Sequence, residues 1–232
     1  MITWDEKDLK NLEPVLERIE GDLYPLEEKD LLVLCSGRGE LTLRLAEKVG
    51  EEGMVVGAEL DEKLIEAGRE RAKSRGLEGS ARFFKPRKDR LPFPDETFDN
   101  LVSEFIVHPT EQITKIGQPE MARVLKPGGS VHLTDVITTH DLSEDQKQAL
   151  SGIGLDYICQ ASRQDFEGWM ENAGFGQIEV EDLTPQLVVV WSERKNRKTD
   201  ADSRGWKLLL EESPLKLGEG IHYIYIKGEI TG

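Results

Sequence analysis

Cysteine is scarce in this chain: two in 232 residues, Cys35 and Cys159. Two thiols in a chain this long make no disulfide framework, so the fold must rest on a hydrophobic core, and a reduced, cytoplasmic setting is expected. Long apolar runs are missing too, which excludes insertion into a membrane as a helix. The opening MITWDEKDLKNLEP is too acidic for a secretory signal. Positive charge is the third shortage, with Lys plus Arg at 30 against Asp plus Glu at 45 and a formal charge of -15. Such a surface repels phosphate backbones, so nucleic acid is excluded as a partner and a small molecule is expected. Internal repeats are also absent.

What is present is an alternation of apolar runs with helical patterns. Residues 5–19 read as an amphipathic helix, with Leu9, Leu12, Val15, Leu16 and Ile19 on one side, inside an N-terminal helical segment of 1–29. Strands are expected at 31–35, 54–59, 81–84, 98–104 and 130–136, with helices at 40–49, 61–75 and 110–125 between them. Strands separated by helices of this length imply right-handed crossovers and a parallel sheet covered on both faces. A polar stretch and a helix near 162–173 follow, with Gly174 as its cap. Strands are then expected near 177–183, 187–191 and 221–227, the last alternating as a half-exposed edge strand should. The fold class is therefore α/β: a doubly wound, mostly parallel seven-stranded Rossmann-like sheet with an antiparallel edge strand. One domain spans 1–232, with 138–170 as a substrate cap and 192–205 as a mobile loop lacking an apolar anchor.

The segment LLVLCSGRG (31–39) ends a buried run in two glycines, Gly37 and Gly39, and feeds a helix. Such a turn brings bare backbone N–H groups and a positive helix end to one point. Glu59 closes the next strand, where a carboxylate can accept both hydroxyls of a ribose. The glycine pair alone is a tight turn; with the acid it points to an adenosine-type ligand. Thr42 stands at the sixth position, where a dinucleotide fingerprint has its third glycine.

LPFPDETFDNLVSEF (91–105) followed by EMARVLKPGGSVHLTDV (120–136) resembles the class I S-adenosylmethionine-dependent methyltransferases, in their ubiquinone/menaquinone and arsenite methyltransferase branch. The likeness runs through AGFGQIEV (173–180). It implies S-adenosylmethionine as cofactor, with Gly37 and Gly39 at its methionine end, Glu59 on the ribose and Leu60 on the adenine. It places Glu104 and Phe105 against the methionine part or the substrate. The chain departs from the pattern at Val33, where an acid is usual, and at Cys35, where a glycine is usual. Arg87 stands near the place of an Asp that meets the adenine amino group, and an Arg cannot accept that hydrogen bond. In the same KPRKD loop, Lys88 adjoins the site and Asp89 is the alternative acceptor.

Methyl transfer is a displacement, so a base is needed only when the nucleophile starts protonated. Three residues are candidates: His108 after the fourth strand, and Asp135 and His140 at and after the end of the fifth. His132 reads as structural, and His222 as facing solvent. Cys159 falls where arsenite enzymes carry a thiolate, but one thiol beside a core Cys35 argues for a small apolar filler, and no metal site is expected. Tyr157, Phe166 and Trp169 read as lid or core. KPRKDR (85–90) and RKNRK (194–198) read as solvated charge, with Arg87 the better placed to meet an anionic substrate tail. The leading reading is a methyltransferase of small molecules, in which Glu59→Ala removes S-adenosylhomocysteine binding without unfolding the chain. The alternatives are a methyltransferase-fold binding module without catalysis and a nicotinamide-dependent oxidoreductase.

Overall fold

Leu31, Leu32, Val33 and Leu34 are all buried and form, with Asp30, the central strand β1 (Asp30–Leu34). The computed structural model describes residues 6–87, 90–103, 117–155, 158–198 and 203–231. Helix α1 (Glu6–Leu23) precedes β1. α2 (Glu40–Val49), β2 (Met54–Ala58), α3 (Glu62–Ser74) and β3 (Ala81–Phe84) follow in strict alternation. β1 pairs in parallel with β2 and with β4 (Phe98–Ser103), so an apolar strand is flanked on both edges and reads as a continuous buried run. Burying each such Val or Leu contributes about 1.5–3 kcal/mol.

α4 (Gln118–Val124) leads into β5 (Leu125–Thr138), which begins earlier than expected. LKPGG (125–129) forms the first part of this strand. Leu125 pairs with Phe98, the register shifts, and Ser130 pairs with Asn100. Gly129 permits that bulge, because a side chain there would meet the Lys126 and Asp99 carbonyls at 2.8 and 2.9 Å. α5 (Glu144–Gly152) opens on a Ser143–Gln146 capping box. β6 (Cys159–Gln160), α6 (Arg163–Asn172) and β7 (Phe175–Asp182) come next. α7 (Thr184–Arg197), α8 (Arg204–Leu210) and β8 (Ile221–Ile230) end the described chain.

The strand order is β3-β2-β1-β4-β5-β8-β7, with β6 on β5. Gly174 O accepts from Thr231 and Tyr223 O from Leu183, so β7 runs antiparallel to β8. The expected α/β doubly wound, mostly parallel sheet with an antiparallel edge pairing is therefore present. Two details differ. β8 lies between β5 and β7 and most of its residues are buried, so the edge strand is β7; β8 alternates little because both faces are covered.

The second correction concerns 187–191, which is helix and not strand. Pro185 sits in the first turn, and Thr184, Leu187, Val190, Trp191 and Arg194 are buried at helical spacing, overriding the strand preference of the LVVV run. Residues 192–197 continue that helix and 204–205 begin α8, where a mobile loop 192–205 was expected; residues 199–202 lie outside the described residues. The anchor of that helix is polar: Asp8 is wholly buried, with Oδ2 2.8 Å from Arg194 Nη1 and Oδ1 bonded to Arg197.

The chain clusters into two compact units. One comprises Met1–Arg18, Asp135–Phe166 and Val180–Tyr225, and holds the Asp8–Arg194 pair. The other comprises Ile19–Thr134, Glu167–Glu179 and Ile226–Gly232, and holds β1 to β4 with the glycine turn. No helix among the described residues is long and apolar enough to cross a membrane.

Candidate functional site

Where β1 ends, Cys35 takes a left-handed backbone at φ 56°, and Gly37 (54°) and Gly39 (82°) repeat it. Ser36 N–H donates to Ala58 O at 3.0 Å, tying the turn to the end of β2, and Gly39 N–H closes back on Ser36 O at 2.8 Å. Arg71 of α3 grips the turn from outside, its Nη1 2.9 Å from Arg38 O and 2.5 Å from Glu40 Oε1.

Glu59 sits at the end of β2, almost fully buried, and meets that turn. Gly37 N–H donates to its Oε2 at 3.0 Å, while Leu60 and Asp61 donate to Oε1 at 2.6 and 3.1 Å. The last two immediately precede α3, whose N-cap is Asp61, so the carboxylate lies at a positive helix end. Of the roughly four acceptor directions of a carboxylate, three are taken by backbone. The turn and the acid, 22 residues apart, are thus one structure.

The residues fit an adenosyl ligand. Ser36 Oγ is buried and has no hydrogen-bond partner among the described residues. Beside Gly37 there is room without a clash, the nearest group to an added Cβ being Glu40 Oε2 at 3.7 Å. Val33, where the family pattern usually has an acid, is buried in β1. Cys35 keeps the conformation that a glycine takes, so this departure leaves the turn intact. Left-handed backbone costs a non-glycine residue roughly 1–2 kcal/mol, and more when branched at Cβ. Cys35→Gly is therefore expected to keep stability within about 1 kcal/mol, and Cys35→Val to lose about 2 kcal/mol, read from urea midpoints. Equal midpoints for the two variants would show that the turn does not need this backbone.

Of the other expected cofactor residues, Leu60 is half-buried and Arg87 is exposed after β3. Lys88, Asp89, Glu104 and Phe105 lie outside the described residues, as do the candidate base His108 and the aromatic Tyr157. Asp135 is buried near the end of β5; its Oδ1 accepts from Val136 N–H at 2.7 Å and its Oδ2 has no partner among the described residues. Burial pushes its carboxyl up to about 7. His140 is half-buried with Nδ1 3.5 Å from Thr139 Oγ1, and is 3.0 Å from where a Cβ on Gly220 would lie. His132 is buried, Nε2 2.8 Å from Ser130 Oγ. His222 does not simply face solvent: Nδ1 lies 3.1 Å from Asp182 Oδ2. Cys159 is wholly buried, and burial, reinforced by Asp135 and Asp165, raises its thiol.

Sequence reasoning missed Phe83. Its ring lies where side chains on Gly39, Gly57 and Gly68 would otherwise go. The readable signal was Gly57 inside MVVGA, since a glycine within a strand marks a close approach.

Sheet order, turn and acid define a doubly wound α/β protein of the methyltransferase type. The model of the ubiE/COQ5 methyltransferase family matches residues 14–149, and the chain belongs to that family. It is 34% identical over 186 residues to the ubiquinone/menaquinone biosynthesis C-methyltransferase UbiE of Marinomonas sp. (strain MWYL1), covering 69% of this chain and 71% of that one. The UbiE of Teredinibacter turnerae (strain ATCC 39867 / T7901) is 29% identical over 181 residues, covering 69% and 72%. Among solved structures, Haemonchus contortus phosphoethanolamine N-methyltransferase 2 in complex with S-adenosyl-L-methionine superposes with a TM-score of 0.77 at 19% identity, over 94% of this chain and 53% of that one. The geranyl diphosphate C-methyltransferase of Streptomyces coelicolor A3(2) gives 0.73 at 17% identity, over 94% and 80%. At these identities the two structures speak for the fold.

Proposed function

We propose that the chain is an S-adenosylmethionine-dependent methyltransferase that alkylates a carbon of a small hydroxylated ring, as in a quinol. The observation that carries the cofactor is the Glu59 carboxylate 3.0 Å from the Gly37 N–H; a carbon as the methyl acceptor is supported by the relatives' C-methyltransferase names. When bound, the cofactor supplies an electrophilic methyl group on a sulfonium. Glu59 accepts a ribose hydroxyl at its remaining lone pair, and the Cys35–Gly39 turn receives the methionine end. Leu60 packs on the adenine, with Arg87, Lys88, Asp89, Glu104 and Phe105 carried over as further contacts.

A ring carbon becomes nucleophilic when the neighbouring hydroxyl gives up its proton. Of the three candidate bases, His108, Asp135 and His140, we assign this proton to Asp135. A carboxyl held near 7 can take a proton at neutral pH, where an ordinary carboxylate is too weak a base to do so. The raised Cys159 thiol disfavours the thiolate that arsenic chemistry needs, so the arsenite branch is set aside. Nucleic acid is not proposed as a partner, on charge, and a cytoplasmic setting is kept.

Isothermal calorimetry tests the cofactor. S-adenosylhomocysteine is expected to bind the folded protein and NAD to give no heat. Turnover of a reduced naphthoquinol with S-adenosylmethionine, followed as S-adenosylhomocysteine release and as a methyl on a ring carbon, tests the acceptor. Heat with NAD and none with S-adenosylhomocysteine would reverse the assignment in favour of an oxidoreductase. Binding without turnover of any quinol would favour the non-catalytic module.

A further inference from the structure

Phe83 lies near the end of β3, nearly buried, and its ring is enclosed by glycines from three other elements. An added Cβ would lie 2.5 Å from Phe83 Cζ at Gly39, 2.8 Å from Cδ1 at Gly57 and 2.8 Å from Cε1 at Gly68. Real Cβ atoms do not approach that closely, so the ring occupies space that each backbone has vacated. Gly39 is the last residue of the turn and the N-cap of α2. Gly57 lies in β2, two residues before Glu59, and Gly68 in α3, the helix whose N-cap, Asp61, donates its N–H to Glu59. One ring therefore bears on the glycine turn and on both elements that carry the acid.

We propose that Phe83 is a positioning residue: its ring, braced by Gly57 and Gly68, sets the height of Gly39 and so the affinity of the turn for an adenosyl ligand. The inference rests on the cofactor reading above. The bracing is rigid because close-packed interiors transmit small displacements, and a ring with backbone on three sides has nowhere to yield. A methyl added at Gly68 therefore pushes on Gly39 through this ring.

The probe is S-adenosylhomocysteine, titrated by calorimetry into wild type, Phe83→Leu, Gly68→Ala and the double variant, each first shown to be folded by circular dichroism. In a fully folded sample the dissociation constant reports the shape of the site and not the global stability. Phe83→Leu and Gly68→Ala are each expected to bind about tenfold more weakly. The double variant is expected to bind more tightly than Gly68→Ala, because the smaller side chain makes room for the added methyl. Leu101→Ala, a buried truncation in β4, is the control and should keep wild-type affinity. Phe83→Met serves if Phe83→Leu does not fold, with the same expected loss. Wild-type affinity in Phe83→Leu or Gly68→Ala, equal loss in Leu101→Ala, or no recovery in the double variant would each overturn the proposal. A wild-type protein that gives no heat would instead overturn the cofactor reading, and the inference with it.

Discussion

Glu59→Ala is expected to weaken S-adenosylhomocysteine binding at least 100-fold, about 2.7 kcal/mol, and to destabilise the chain at the same time. The second effect separates this expectation from a purely ligand-facing acid. The carboxylate accepts three backbone N–H groups, from Gly37, Leu60 and Asp61, inside a nearly dry corner. Truncation leaves those donors facing a cavity. A hydrogen bond to a charged group is worth roughly 1.5–3 kcal/mol, and water entering the cavity restores part of it, so a net loss of about 3 kcal/mol is expected. Against a typical stability of about 5–15 kcal/mol the variant stays folded at low temperature. Glu59→Gln keeps the shape and one good acceptor but turns an amide NH2 toward a backbone N–H. It should lose about 1 kcal/mol of stability and about tenfold in affinity. Urea denaturation and calorimetry on one preparation check both effects. Glu59→Ala with wild-type stability would show that the turn holds itself; wild-type affinity would remove the acid from the site.

The same three hydrogen bonds show what a sequence can and cannot disclose. Gly37, Gly39 and Glu59 were legible because each follows a run whose period and length announce a buried strand, and ligand groups gather at strand ends. β1, β2, β3 and β4 lie within a residue or so of their expected bounds for that reason. That all three carboxylate donors come from backbone was not legible, since backbone donors carry no residue code. α7 failed differently. Val188, Val189 and Val190 favour strand locally, while the period that makes a helix runs through Thr184, Leu187, Trp191 and Arg194 and mixes polar with apolar residues. Arg194 reads as solvated charge until Asp8, 186 residues away, is placed against it. Phe83 stayed hidden because its importance lies in what three other positions lack. A missing side chain is weak evidence singly and strong evidence only when the three are known to face one ring.

Asp135→Asn is expected to make the chain more stable above neutral pH while lowering turnover. The carboxyl titrates near 7 in the fold because burial disfavours its charged form, and the one donor it receives among the described residues, Val136 N–H, offsets only part of that. An unfolded Asp titrates near 3.9, so between roughly pH 4 and 7 the folded chain holds a proton that the unfolded chain has released. The stability tied to that proton is fully present below about pH 4 and is lost as pH rises through 7. Raising a carboxyl from about 4 to about 7 corresponds to about 4 kcal/mol as an upper figure. Asparagine carries no charge at any pH, so its advantage over wild type should grow by about 3 kcal/mol between pH 5 and pH 8. In a chain of this size that is a relative gain of about 10 °C in Tm. Thermal unfolding of both proteins from pH 5 to 8 reads the difference directly, and parallel curves would show that Asp135 ionises in the fold without strain. A buried acid whose removal stabilises is retained for something other than stability. On the proton-acceptor reading, the same substitution should lower kcat about 100-fold and leave S-adenosylhomocysteine affinity unchanged, about 2.7 kcal/mol taken from the chemical step alone. A gain in stability with undiminished turnover would place the proton elsewhere and leave Asp135 as an acid the fold would be better without.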